Sequence, residues 1–243
     1  MGKLDGKVAI VTGGGSGIGK AIAHGLAKEG CNVVIAGRGT RRLTEAAAQM
    51  QNSGGRVAPV PTDVTNEEQV IAMFRRTTDL FNRLDILVNN AGLVHGGPLD
   101  ELAAEVWDQV IATNLRGPFL CTREAMRVMK RQEGGRIINI GSISAQRPRM
   151  NSGPYSVSKF GIWGLTIVTA LEGREFGISA SCLHPGNVRI EDHPYEGPVP
   201  ASEPKMKTAE IADAAVFMAS LPPHMNMLEA IVLPVKQAYL ARG

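Results

Sequence analysis

Cysteine is scarce in this chain: Cys31, Cys121 and Cys182 are odd in number, far apart and lack C-x-x-C spacing. That pattern excludes a disulfide framework and a zinc site, and predicts free thiols packed inside a protein of a reducing compartment. Neither sign of charge dominates, since 26 Lys+Arg stand against 23 Asp+Glu for a formal net charge of +3. The basic residues are spread along the chain, so nothing in the charge pattern points to a nucleic-acid surface. No apolar run reaches membrane-spanning length. The opening Met1-Gly2-Lys3-Leu4-Asp5-Gly6 carries no signal-peptide apolar region, and Gly6 stands where a myristoylation signal wants Ser or Thr. The expectation is a cytoplasmic protein with no membrane partner. No internal repeat and no linker-like composition shift interrupts the 243 residues, which are enough for one sizeable core.

What is there is ordinary in bulk, 44% hydrophobic and 20% charged, and specific in pattern. Short β-branched runs alternate with stretches of helical period almost to the end, the rhythm of a parallel sheet covered on both faces by helices. The expected strands are 8–11, 32–36, 56–60, 85–89, 136–140, 178–183 and 230–233, seven in number. Thr65-Asn66-Glu67-Glu68 reads as a capping box, after which Val70, Phe74 and Phe81 share one helical face. The stretch 187–207 holds four prolines and four acidic residues and follows neither period, which predicts a mobile functional loop within a single domain 1–243.

Directly after the first strand comes Thr12-Gly13-Gly14-Gly15-Ser16-Gly17-Ile18-Gly19, and Ile18, Ile22 and Leu26 then form an apolar helical row. A strand feeding a helix through glycines brings backbone N–H groups and the positive helix end to a pyrophosphate without side-chain obstruction. The spacing is T-G-x-x-x-G-x-G, with Gly13, Gly17 and Gly19, and not G-x-G-x-x-G. At the end of the second strand a carboxylate would accept hydrogen bonds from the adenosine ribose and repel a 2′-phosphate. This chain has Gly37-Arg38 there, so Arg38 is expected to meet a phosphate and NADP(H) is favoured over NAD(H). Arg41 or Arg42 could support Arg38 on a phosphate, but both read first as the solvated start of a helix.

Tyr155 and Lys159 stand four residues apart in a helix-compatible segment, which places an ammonium beside a phenol. A phenol of pKa roughly 10 becomes a usable proton donor and acceptor nearer neutral pH beside a cation.

Together with the glycine turn, Asn89-Asn90-Ala91-Gly92, Asn114, Ser142, Tyr155-x-x-x-Lys159 and Pro185-Gly186 closely resemble, in order and spacing over most of the chain, the short-chain dehydrogenase/reductase family. The resemblance implies a doubly wound Rossmann sheet and hydride transfer between a nicotinamide cofactor and an alcohol or carbonyl. It makes Tyr155 the general acid/base, with Ser142 polarising the same oxygen and Lys159 binding the ribose hydroxyls and lowering the Tyr155 pKa. Asn114 would hold a proton-relaying water. The cofactor would follow Gly13, Gly15, Ser16, Gly17, Ile18 and Gly19, pass Arg38, Asp63 and Val64, and cross Asn90, Ala91 and Gly92. It would end between Tyr155, Lys159, Pro185, Gly186 and Val188. Asp63 equally reads as a helix cap, Asn89 as a structural amide, Asn114 as a helix-bending or capping residue, and Ser144 as a competitor of Ser142. Two departures stand out: Ile190 replaces a threonine that meets the nicotinamide amide in the family, and 228–243 lacks the paired glycines common after the last strand.

A substrate pocket is expected from Leu93, Val94, His95, Ser144, Met150 and Asn187, a mixture suiting a small or medium carbonyl compound. Glu191, Asp192 and His193 read as a solvated acidic loop and not as a metal site. The leading reading is an NADP(H)-dependent reductase or dehydrogenase, a homo-oligomer (dimer or tetramer) acting on a small molecule. The alternatives are an oxoacyl-thioester reductase docking an acidic carrier through Arg123, Arg127, Lys130 and Arg131, and a catalytically silent nucleotide sensor.

Overall fold

The structure, a computed structural model, describes residues 2–190 and 203–239. Strands β1 (Val8–Thr12), β2 (Asn32–Gly37), β3 (Val57–Pro61), β4 (Ile86–Asn89), β5 (Gly135–Ile140) and β6 (Ile178–Pro185) alternate with helices. These are α1 (Gly17–Lys28), α2 (Thr40–Gln49), α3 (Glu67–Phe81), α4 (Ala104–Ile111), α5 (Gly117–Arg131) and α6 (Gly153–Gly173). The short strands β7 (Val188–Arg189) and β8 (Met206–Lys207), helix α7 (Thr208–Ala219) and β9 (Glu229–Val232) complete the order. Seven strands form one parallel sheet in the order β3-β2-β1-β4-β5-β6-β9. The order reverses between β1 and β4, and an open α/β sheet opens its ligand crevice at the carboxyl ends of the strands there.

Every residue of β1 is buried because the pleat sends alternate side chains into two cores. Ala9 and Val11, with Val33 and Ile35, pack under Ile22 and Leu26 of α1 and Ile211 and Met218 of α7. Ile10 and Val34 face the opposite layer, with Val70 and Met73 of α3 and Leu120 and Met129 of α5. The three cysteines are fully buried, and burial pushes each thiol up to about 12, so none is a reactive thiolate.

The expected strands are all present, with ends displaced by one or two residues. The cap of α3 differs from the sequence reading. Asn66 is its N-cap and accepts from the Gln69 amide at 3.0 Å, because Thr65 is already held by Asp63. The stretch after Gly186 is not featureless at its ends, since Val188 and Arg189 pair in parallel with Met206 and Lys207. Residues 191–202, and with them Glu191, Asp192 and His193, lie outside the described residues. Among the described residues no helix is long and apolar enough to cross a membrane.

Candidate functional site

The glycine turn sits at the carboxyl end of β1, with Gly13 at φ +66° and Gly17 at φ +51°, backbone that side chains rarely adopt. Gly19 is constrained differently, since a Cβ there would strike the Asn90 amide and the Gly13 carbonyl. Asn90 is that close because it staples the two strand ends together. Its Nδ2 donates to the Thr12 carbonyl at 3.0 Å, while Thr12 Oγ1 accepts from the amides of Asn90 and Ala91 at 3.0 and 3.1 Å. Ser16 caps α1 in extended backbone without a side-chain hydrogen bond, and no acid occupies the first turn. The N-terminal amides and the positive end of α1 are therefore suited to an anion. Ile18 is half-buried and packs against the core. Across the cleft, a Cβ on Gly17 would lie 3.3 Å from Ile190 Cγ2, so the loop after β6 reaches the turn through an apolar side chain.

Arg38 follows β2 and is exposed. Of the next two arginines, Arg41 Nε lies 3.6 Å from Glu45 Oε1, and Arg42 lines a cleft of about 200 Å³ together with Gly15, Ser16, Lys20 and that same Glu45. Asp63 holds the turn before α3, its Oδ1 accepting from the Thr65 amide at 2.9 Å and the Thr65 hydroxyl at 2.8 Å. Val64 is buried in the core facing α3 and α5.

Asn114 is buried in a π-helical turn, Ala112–Arg116, between α4 and α5. Such turns widen a helix and re-aim a side chain. Its Oδ1 accepts from the Leu93 amide at 2.7 Å, and its Nδ2 donates to the Leu93 carbonyl at 2.8 Å and to Ser158 Oγ at 3.2 Å. The backbone beyond Asn90-Ala91-Gly92 is thereby fixed to α6. Asn89 is structural, with Nδ2 donating to Asn139 Oδ1 at 2.8 Å and to Thr122 Oγ1 at 3.1 Å. Asn139 Nδ2 continues the chain to Thr166 Oγ1 at 2.8 Å.

The end of β5 gathers the remaining groups. Lys159, only 6% exposed, donates from Nζ to the Ile140 carbonyl at 2.8 Å, and the same Nζ lies 5.6 Å from the centre of the Tyr155 ring. Burial pushes the Lys159 ammonium down to about 8, with a small opposing effect of Cys182. Ser142, two residues beyond Ile140, is buried, and its Oγ accepts from the Ser144 amide at 3.1 Å. Ser144 thus supports Ser142 through its backbone. His184 on β6 was not anticipated: its Nδ1 lies 3.2 Å from the Ser142 amide nitrogen and 2.9 Å from the Ser142 carbonyl oxygen. Nothing in the sequence marked it except its place just before Pro185-Gly186. Pro185 is buried in β6, and the Gly186 amide donates to the Val232 carbonyl at 2.8 Å.

The expected substrate residues divide. Val94 and His95 are exposed near the strand ends, and Gly96 approaches the Asn151 backbone closely enough to exclude a Cβ. Met150 is 88% exposed. Asn187 is buried and occupied: its Nδ2 donates to Glu203 Oε2 at 2.7 Å, and Arg149 Nη2 donates to its Oδ1 at 3.3 Å. Arg149 also pairs with Glu203 at 2.8 Å, so these three side chains tie the loop after β5 to both ends of the segment 187–203. Among the described residues no group of three or more His, Cys, Asp or Glu is gathered for a metal ion.

Comparison with known proteins agrees with this geometry. The short chain dehydrogenase profile matches residues 7–193. An uncharacterised oxidoreductase of Bacillus subtilis, YxjF, is 35% identical over 234 residues, covering 88% of this chain and 91% of the relative. A metagenomic short-chain oxidoreductase solved in complex with NADP superposes with a TM-score of 0.84 at 30% identity, over 96% of this chain and 99% of that one. An alcohol dehydrogenase of the archaeon Thermococcus sibiricus, complexed with 5-hydroxy-NADP, gives 0.85 at 29% identity, over 95% of this chain and 97% of that one. The matched range 7–193 spans the glycine turn, the π-helical asparagine and the tyrosine–lysine pair, and the chain belongs to the short-chain dehydrogenase/reductase family of oxidoreductases, which bind nicotinamide cofactors.

Proposed function

We propose that the protein is an NADP(H)-dependent oxidoreductase interconverting a small or medium carbonyl compound and its alcohol, with Tyr155 as general acid/base. The observation that carries this reading is the buried Lys159 ammonium, anchored on Ile140 at the end of β5 and 5.6 Å from the Tyr155 ring. The residues present fit a dinucleotide: glycines fill the places where a Cβ would close the turn, and the start of α1 has no side-chain cap. When bound, the nicotinamide supplies or accepts the hydride. Tyr155 gives its proton to the carbonyl oxygen on reduction and takes it back on oxidation. Ser142 donates to the same oxygen, favouring the state in which negative charge develops there. Lys159 holds ribose hydroxyls and lowers the Tyr155 pKa. A Lys159 pKa of about 8 also lets that ammonium exchange a proton near neutrality. Asn114 Oδ1 has one lone pair left beyond its bond to Leu93, the place for a relaying water.

Arg38 in place of a carboxylate, Arg42 in the cleft beside Gly15 and Ser16, and two structural neighbours complexed with NADP or its 5-hydroxy derivative support NADP(H) over NAD(H). The carrier-docking alternative loses ground on charge. Arg123 pairs with Glu67 at 2.7 Å, Arg127 pairs with Glu124 at 2.8 Å, and Lys130 lies 4.3 Å from the centre of the Phe176 ring. The intact set of Ser142, Tyr155 and Lys159 counts against a silent sensor. We further read the protein as a cytoplasmic homo-oligomer, with Phe160, Val168 and Leu171 exposed on α6 as support for self-association. The segment 187–207 is read as the substrate loop. The test is NADPH and NADH oxidation with a panel of ketones, aldehydes and acyl thioesters. Turnover of simple carbonyls with NADPH supports the reading, and tight NADPH binding without any turnover contradicts it.

A further inference from the structure

His184 is the one fully buried imidazole among the described residues, and the proton path above makes no use of it. It projects from β6 against the first residue after β5 that the proposed mechanism needs. Gly141 is what permits this approach, because a Cβ there would lie 2.6 Å from His184 Nδ1 and 2.8 Å from Cys182 Sγ. The ring is held edge-on by Trp163 of α6, with centroids 6.0 Å apart at 72°. Its Nε2 is buried, makes no hydrogen bond and faces Glu229 Oε1 of β9 at 3.4 Å. Gln146 fixes that carboxylate by donating to the same Oε1 at 2.8 Å.

Nδ1 lies within reach of both the N–H and the C=O of Ser142 but can serve only one. If Nδ1 carries the proton it donates to the Ser142 carbonyl, leaving the Nε2 lone pair aimed at a carboxylate. If Nε2 carries the proton, that proton lies on the side of Glu229, whose Oε1 is 3.4 Å from Nε2 in an electrostatic contact and not a hydrogen bond, and Nδ1 accepts from the Ser142 amide. The second arrangement leaves no lone pair opposed to a charge. We propose that His184 is a positioning residue whose Nε2–H tautomer, selected by Glu229, holds the Ser142 amide and so fixes the hydroxyl that orients the substrate oxygen. This rests on the role assigned to Ser142 above. Burial lowers the His184 pKa, Ser142 and Glu229 oppose that, and Lys159 adds to it, so the ring is neutral near pH 7. The charged and titratable groups facing it are Glu229 from β9, Lys159 from α6 and Cys182 from its own strand.

Two measurements test this, and the first needs no activity. Long-range proton–nitrogen spectra of histidine-labelled protein should show His184 as the Nε2–H tautomer, moving toward Nδ1–H in Glu229→Ala; a wild-type ring protonated on Nδ1 overturns the proposal. Second, with a carbonyl whose reduction requires Tyr155, His184→Leu should lower kcat at least about tenfold with the NADPH Kd unchanged, as displacement of a catalytic group does. His184→Asn should recover most of the rate, since its carboxamide reaches the Nδ1 position. Wild type should also lose kcat on the acid side, where Nδ1 turns from acceptor to donor, and His184→Asn should lack that limb. A kcat for His184→Leu within twofold of wild type, or no recovery in the Asn variant, contradicts the proposal. Loss of the Tyr155 requirement would instead overturn the functional reading and leave the tautomer result standing.

Discussion

Arg38 is exposed, at the strand edge where a carboxylate would recognise an unphosphorylated ribose. A guanidinium at that edge attracts a 2′-phosphate through charge-assisted hydrogen bonds worth about 1.5–3 kcal/mol. Arg38→Asp should therefore weaken NADPH binding by roughly 10- to 100-fold and tighten NADH binding, as read by fluorescence titration; unchanged affinities for both would remove Arg38 from the site. Lys159 makes a prediction about stability. Its folded pKa of about 8 lies below the ordinary 10.5, so the folded state carries a desolvation cost of about 3 kcal/mol wherever the unfolded chain is protonated and pH is below 8. That cost disappears as pH rises from about 8 to 10.5. Urea unfolding of the cofactor-free protein should show wild type gaining on Lys159→Met between pH 7 and 10. A difference that stays flat would mean that Lys159 is not desolvated.

At the scale of elements, the starts of the central strands meet at Asp85. Its carboxylate accepts from the Val8 amide at 2.9 Å, from Lys7 at 3.2 Å and from Arg83 at 2.6 and 2.7 Å, while its backbone carbonyl accepts from the Arg136 amide at 2.8 Å. Burial raises the Asp85 pKa, but the Arg83, Val8 and Lys7 contacts outweigh it and the net shift is downward. Asp85→Asn should cost about 2 kcal/mol at pH 7. The deficit should close as acid protonates the wild-type carboxylate below the ordinary carboxylate range, measured by denaturant unfolding at several pH values. Strands β1, β2, β4 and β5 were legible because each is a largely β-branched apolar run buried on both faces, and the turn after β1 because glycine is demanded by backbone angle and by the Asn90 contact. The π-helical turn at 112–116 was legible only as a possible bend at Asn114, since its purpose lies in the bonds between the Asn114 side chain and Leu93 and Ser158, 21 and 44 residues away. The ties of Asn187 to Arg149 and Glu203 were not legible either, because those partners lie 38 and 16 residues away in sequence. His184 was hidden for the same reason: its meaning lies in a partner 42 residues away, in the turn that follows the neighbouring strand β5.

For the whole molecule, the sheet order places Ser142, Tyr155, Lys159 and the glycine turn along one edge formed by strand carboxyl ends, although they are scattered from residue 13 to 159. The outer side of α6 exposes Phe160, Val168 and Leu171, the last 53% accessible. Light scattering should report a dimer or tetramer, and Leu171→Asp should shift it toward monomer; a monomeric wild type at micromolar concentration would refute the self-association reading. The central claim is most directly tested by the rate of NADPH-dependent carbonyl reduction in Tyr155→Phe against wild type, with NADPH affinity measured alongside. Removal of one hydroxyl should lower kcat by about two to four orders of magnitude while the cofactor still binds. A rate within a few fold of wild type would contradict the account, because the proton would then be coming from somewhere other than Tyr155.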